Sequence, residues 1–161
     1  MFHQVGPVDM LVNTVGSFIY KPLAQTSLEE FHECIHNNLM TAWYCTKAAL
    51  PAMRKKHYGR IINFGCVGCD QITSRPKTTP YYIAKTGLLM LTKSLAREEA
   101  ARGITINMIS PGVMPTGVKP TADAPIIPFD AVARVVLWLT HDDQKYINGA
   151  NLEVSAGWRP E

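Results

Sequence analysis

No stretch of this 161-residue chain approaches the ~20 consecutive apolar residues that a membrane helix needs. The opening residues, MFHQVGPVDM, lack the basic start and apolar core of a secretory signal, so the expected compartment is the cytoplasm. Charge is scarce: charged residues make up 18% of the chain and the formal net charge is +3. The densest basic run, MRKKHYGR (53–60), falls where a helix is expected to end, and cations there are favoured by the helix dipole. It predicts a solvated helix end, and no interleaving of aromatic and basic residues points to a nucleic-acid partner. Cysteine is limited to Cys34, Cys45, Cys66 and Cys69. The last two form a lone C-x-x-C, with neither a second pair nor suitably spaced histidines to complete a zinc site, so no metal is expected. Free thiols are expected. Internal repeats, low-complexity tracts and linkers are also missing, and the expectation is a single domain over 1–161.

What is present is 47% apolar and patterned for a packed core. VDMLVN (8–13), GRIINFG (59–65), ITINMIS (104–110) and ANLEVSAG (150–157) are short apolar runs bounded by turn residues, and each predicts a buried strand. Ser27 and Glu30 form a capping box ahead of Leu28, Phe31, Ile35, Leu39, Trp43, Leu50 and Met53. That spacing predicts a helix over roughly 28–56 with a kink near Pro51. A second helix is predicted from Pro80 to Gly103 and a third over FDAVARVVLWLTH (129–141). The order β-α-β-α-β-α-β with continuously apolar strands predicts a parallel sheet covered on both faces.

The stretch PYYIAKTG (80–87) places two tyrosines, Tyr81 and Tyr82, four and three residues before Lys85. Both spacings bring side chains together on a helix. An acid–base tyrosine is one reading, and a packing pair beside a surface lysine is the other. The remaining residues carry a resemblance. VDMLVNTVG resembles the strand ending in Asn-Asn-Ala-Gly of the short-chain dehydrogenases/reductases. YYIAK resembles their Tyr-x-x-x-Lys, INMISPGVMPT their Pro-Gly-x-x-x-Thr segment, and YINGANLEVSAGW their closing strand. Among relatives, 3-oxoacyl-acyl-carrier-protein reductases look most similar.

The resemblance implies the C-terminal part of a Rossmann-type doubly wound sheet with about four parallel strands. It implies oxidation or reduction of a small alcohol or carbonyl substrate with NAD or NADP. Tyr81 then matches the catalytic acid/base and Lys85 its partner, which also bonds the cofactor ribose. Asn38 matches the asparagine of the proton relay. Asn13 and Gly16 match positions after the first strand that line the adenosine side of the cofactor, and Pro111, Gly112, Val113 and Thr116 match the segment that holds the nicotinamide. A free tyrosine has a pKa near ~10, and a lysine one turn away is expected to favour its phenolate.

Two departures stand out. Cys66 falls where the family has its active-site serine, and the loop from Cys66 to Tyr81 is longer than the family's. No G-x-x-x-G-x-G occurs in the sequence, so the glycine-rich pyrophosphate seat of the family is not found here, which implies a truncated enzyme. The short segment 117–128 predicts an open substrate side. The competing expectations are a catalytically inactive fragment acting as an interaction or oligomerisation module, and a thiol-redox pair at Cys66 and Cys69. Homo-oligomerisation through the two long helices is expected in either case.

Overall fold

The structure is a computed structural model that describes residues 6–116 and 124–160. Four strands form one sheet in the order of the chain: β1 (Met10–Asn13), β2 (Gly59–Phe64), β3 (Ile104–Pro111) and β4 (Asn151–Val154). All three pairings are parallel, with Leu11 opposite Ile61, Ile61 opposite Ile106 and Ile109 opposite Leu152. Side chains alternate across the sheet. Ile61 and Ile106 therefore join Leu50, Met53 and Leu95 on one face, while Ile62 and Ile109 join Val132 and Leu139 on the other. This two-sided burial explains why the strands read as apolar runs without alternation.

Helix α1 (Leu28–Ile35) packs on α3 (Thr79–Glu99), which together with α2 (Thr41–Lys56) supplies the first face, and α4 (Phe129–Thr140) packs on the second. The capping box forms as the sequence requires: the Ser27 hydroxyl accepts from the Glu30 amide at 3.1 Å, and Glu30 accepts from the Ser27 amide at 2.8 Å. Helix α2 runs through Pro51, and a π-turn over His36–Met40 lies ahead of it. Single π-turns inside helices often mark functional positions, and this one carries Asn38.

The basic run needs correction. Arg54, Lys55 and Lys56 do close α2, but Arg60 is a buried strand residue. Its guanidinium donates to the carbonyls of Gly59 and Gly103 and pairs with Asp142. A buried cation needs such partners. Gly103, with φ +69°, ends α3 against the carbonyl of His57, which a Cβ would approach to 2.5 Å. The open substrate segment expected over 117–128 lies largely outside the described residues. Among the described residues, no helix is long and apolar enough to cross a membrane, and no group of three His, Cys, Asp or Glu is placed to hold a metal.

Candidate active site

The carboxyl ends of parallel strands are where doubly wound sheets bind ligands. Four segments meet there: the turn after β1 (Thr14–Phe18), the π-turn, the turn after β2 (Gly65–Asp70) and the first two turns of α3. Pro80 starts α3 with its fixed φ, and Tyr81 and Lys85 follow on successive turns.

Lys85 is buried, which overturns the surface-lysine reading. Its Nζ donates to the Phe64 carbonyl at 2.7 Å, the last carbonyl of β2, and lies over the Tyr81 ring at 5.6 Å from the centroid. Burial lowers its pKa, opposed by the nearby thiols of Cys66 and Cys69. Tyr81 is held edge-on by Phe18, with centroids 5.0 Å apart, and by Tyr82 at 5.9 Å. No hydrogen-bond partner of its hydroxyl is found among the described residues. Burial pushes the Tyr81 phenol well above its ordinary value, and the neighbouring thiols and Tyr82 push the same way. Burial is the largest cause of that rise, and it also disfavours the charge of Lys85.

Asn38 is almost fully buried, not on the exposed side of a helix. Its Nδ2 donates to the carbonyls of Ser17 at 2.8 Å and Cys34 at 2.9 Å. Its Oδ1 has no protein partner. Gly16 lies directly against this group: a Cβ there would come within 2.3 Å of Asn38 Oδ1 and 3.5 Å of Lys85 Nζ. Only glycine leaves that space open. Asn13 is spent differently, its Nδ2 donating to Asn63 Oδ1 at 2.8 Å and Thr46 Oγ1 at 3.5 Å. It ties β1 to β2 and leaves only its Oδ1 and backbone for a ligand.

Cys66 is buried and packs with Tyr81 and Tyr82. Its thiol contacts those of Cys69 and Tyr82's hydroxyl, and the Cys69 contact together with burial raises its pKa. Tyr82 turns away from the cleft. Its hydroxyl donates to the Val67 carbonyl at 3.1 Å, and its ring is covered by the Arg75 guanidinium at 4.5 Å. At the end of β3, Gly112 is pinned through its amide to Val154 and Val113 bridges to Ile126. Thr116 is exposed and makes no hydrogen bond to Tyr81, Lys85 or Asn38.

Tyr81, Lys85, Asn38, Gly16 and Cys66 are therefore one cluster. Sequence reasoning missed Phe18, Ser17, Arg75 and Glu153. Glu153 accepts from the Gly68 amide at 3.0 Å and pairs with Arg159 at 2.9 Å, tying the turn after β2 to β4 and the tail. The only signal available was the unusual density of polar residues at strand ends.

The residues present fit a nicotinamide nucleotide on one side. An unpartnered buried oxygen at Asn38, the open space at Gly16 and a lysine beside both form a polar cradle, and Pro111–Val113 end the adjacent strand.

Comparison with known proteins matches the chain and its fold to one family. A family model described as enoyl-(acyl carrier protein) reductase matches residues 1–159. The 3-oxoacyl-acyl-carrier-protein reductase FabG of Haemophilus influenzae is 36% identical over 168 residues, covering 96% of this chain and 69% of the relative. The corresponding Escherichia coli protein is 34% identical, covering 96% of this chain and 68% of the relative. A solved structure from Bacillus thuringiensis, assigned as a 3-oxoacyl-reductase, superposes with a TM-score of 0.88 at 32% identity, over 99% of this chain and 69% of that one. A second, assigned as a gluconate dehydrogenase of Agrobacterium tumefaciens, gives 0.87 at 29% identity, over 96% and 66%. With a buried Lys85 beside the half-buried Tyr81 at the carboxyl edge of a parallel sheet and this likeness along nearly its whole length, the chain belongs to the short-chain dehydrogenase/reductase family of oxidoreductases.

Proposed function

We propose that this chain carries the catalytic half of an NAD- or NADP-dependent carbonyl reductase, acting on a small carbonyl or alcohol substrate of the 3-oxoacyl type. One observation carries the reading. Tyr81 offers a hydroxyl with no hydrogen-bond partner among the described residues, beside a buried lysine and a buried, unpartnered amide oxygen. Nothing in fold packing alone calls for that combination, because buried polar atoms are ordinarily satisfied.

A bound nicotinamide supplies the hydride. Tyr81 donates the phenolic proton to the carbonyl oxygen as charge develops there, and its raised pKa keeps it protonated for that step. Lys85 uses one N–H on Phe64 and keeps two for the ribose and for a water. Asn38 Oδ1 accepts from that water, which returns a proton toward Tyr81 through Lys85 Nζ. Cys66 stands where a donor to the substrate oxygen is needed, although a thiol donates weakly. Asn13 and Gly16 would line the adenosine side of the cofactor, and Pro111, Gly112, Val113 and Thr116 its nicotinamide side.

The exposed side chains of Leu28, Tyr44, Ile83 and Met90 on the long helices support docking of a second copy there. The rival, an inactive interaction module, would need only that surface. The test is NADPH-dependent reduction of a 3-oxoacyl thioester by this chain fused behind a glycine-rich dinucleotide turn from the Haemophilus influenzae relative. Turnover that vanishes in Tyr81→Phe supports the reductase. A folded fusion that binds NADPH and turns nothing over supports the module.

A further inference from the structure

The turn Cys66–Val67–Gly68–Cys69 is fastened along its whole backbone and carries two thiols. The Cys69 amide donates to the Cys66 carbonyl at 3.2 Å, closing the turn. The Val67 carbonyl accepts from the Tyr82 hydroxyl at 3.1 Å. The Gly68 amide donates to Glu153 at 3.0 Å, and its carbonyl accepts from Arg75 at 3.4 Å. The Cys69 carbonyl accepts from the Thr86 hydroxyl at 2.9 Å. Every residue of the turn thus has a fixed backbone. In such a turn the first and last Cα atoms are less than ~7 Å apart. A disulfide spans roughly 4.4–6.8 Å between Cα atoms, so the bridge needs little backbone movement.

The two sulfurs differ in their surroundings. Cys69 is fully buried, with Ser110 Oγ at 3.8 Å and Met108 Sδ at 3.9 Å. The Cys66 thiol and backbone, with the Ser110 hydroxyl, draw its pKa down to about 6 against the effect of burial. Cys66, also buried, is the less enclosed of the two at 8% exposure, and it packs against Tyr81. Lys85 lies close enough to feel both thiols. One thiolate shared between two sulfurs, beside an ammonium and reachable through one of them, is the arrangement of a reactive dithiol.

We propose that Cys66 and Cys69 form an oxidation site for hydrogen peroxide and small hydroperoxides, which enter beside Tyr81 and convert the pair to a Cys66–Cys69 disulfide. Cys66 first passes its proton to the Cys69 thiolate; the Cys66 thiolate so formed displaces hydroxide from the peroxide O–O bond and becomes a sulfenic acid. Cys69 sulfur then attacks Cys66 sulfur, the S–O bond breaks, and the hydroxyl leaves as water with the Cys69 proton. Two thiols lose two electrons in all, and the peroxide is reduced to water and hydroxide. The bridge also removes the S–H facing the substrate oxygen. That consequence, unlike the oxidation itself, rests on the carbonyl-reductase reading.

The experiment counts thiols in the folded chain. After peroxide treatment, alkylation in denaturant and trypsin digestion, the peptide spanning Ile61–Lys77 should carry no alkyl group and a bridge reversed by dithiothreitol. Cys34 and Cys45 should remain alkylated. In Cys69→Ser the same treatment should leave Cys66 as a sulfenic acid that dimedone captures. Alkylation of both Cys66 and Cys69 in the treated wild-type chain overturns the proposal, as does oxidation of Cys45 ahead of the pair. In the NADPH-competent fusion, a bridge that forms while turnover stays unchanged leaves the oxidation site standing and removes the Cys66 donor role.

Discussion

Lys85 Nζ lies 5.6 Å from the centre of the Tyr81 ring while donating to the carbonyl that ends β2. The lysine is thereby anchored to the sheet and not to the tyrosine it faces. Tyr81 keeps its hydroxyl free, and Tyr82, one residue on, commits its hydroxyl to Val67. About 100° of helix rotation per residue separates the two roles.

Tyr81→Phe in the fusion should lower turnover by roughly 10²–10⁴, the usual worth of a positioned proton donor, with little change in melting temperature. Tyr82→Phe should do the reverse. Loss of its bond to the Val67 carbonyl costs about 1 kcal/mol, or ~2–4 °C in a domain of this size. Steady-state kinetics and thermal unfolding on both variants separate these outcomes. Equal loss of turnover in both would show that the wrong tyrosine has been assigned.

The raised pKa of Tyr81 has a direction-dependent consequence. Carbonyl reduction needs the protonated phenol, so its rate should show no fall near pH 8–9 from this group. Alcohol oxidation needs the phenolate, so its rate should climb with pH across the same range. Initial rates in both directions between pH 6 and 10 check this. A reduction rate that halves by pH 8 in wild type but not in Cys66→Ser would implicate a thiol instead.

Glu99 is the buried acid of α3, paired with Arg54 through Nε at 3.0 Å and with Arg102 at 3.2 Å. The Arg54 bond holds its carboxyl below the ordinary value. A folded-state pKa below the unfolded one gives stability that is present above the unfolded value, near 4.5, and lost as pH falls through the folded one. Wild type should therefore lose stability on acidification below pH 5, and Glu99→Gln should lose less of it. Arg54→Ala should cost about 1–3 kcal/mol at pH 7, because it leaves a buried carboxylate with one partner. Urea unfolding at pH 7 and pH 4 reads both.

The sheet and the nearness of Tyr81 to Lys85 were legible because they depend on local periodicity: apolar runs for strands, and one helical turn between the two side chains. The rest depends on segments distant in sequence. Phe18 meets Tyr81 only because the turn after β1 folds over the start of α3. Glu153 meets Gly68 only because β4 lies at the far edge of the sheet. Arg60 misleads for the same reason: it follows three helix-end cations, and the strand that buries it brings Asp142 from 82 residues away. Nothing in the local sequence announced the π-turn at Asn38, where the side-chain amide bonds the carbonyls of Ser17 and Cys34 and its oxygen stays unpartnered.

Cys66→Ser tests how much of the site its thiol supplies. A serine hydroxyl is a shorter and better donor than a thiol, and donors aimed at a developing oxyanion are worth ~2.7–4 kcal/mol when removed from well-formed sites. The thiol retains part of that, so the gain in turnover should be about tenfold or less, or ~1.4 kcal/mol. The structure limits it further. Cys66 is occupied by contacts with Cys69 and Tyr82, and the turn that carries it is fastened at every residue. A serine at 66 can therefore turn its hydroxyl toward Cys69 and leave the substrate unserved, in which case turnover is unchanged and Cys69→Ala in the same background should release the gain. The comparison is kcat for the fusion with Cys66, with Cys66→Ser, and with both substitutions, under dithiothreitol. A Cys66→Ser variant that folds and loses most of its turnover under these reducing conditions defeats the donor assignment, because it would place the sulfur itself in the chemistry.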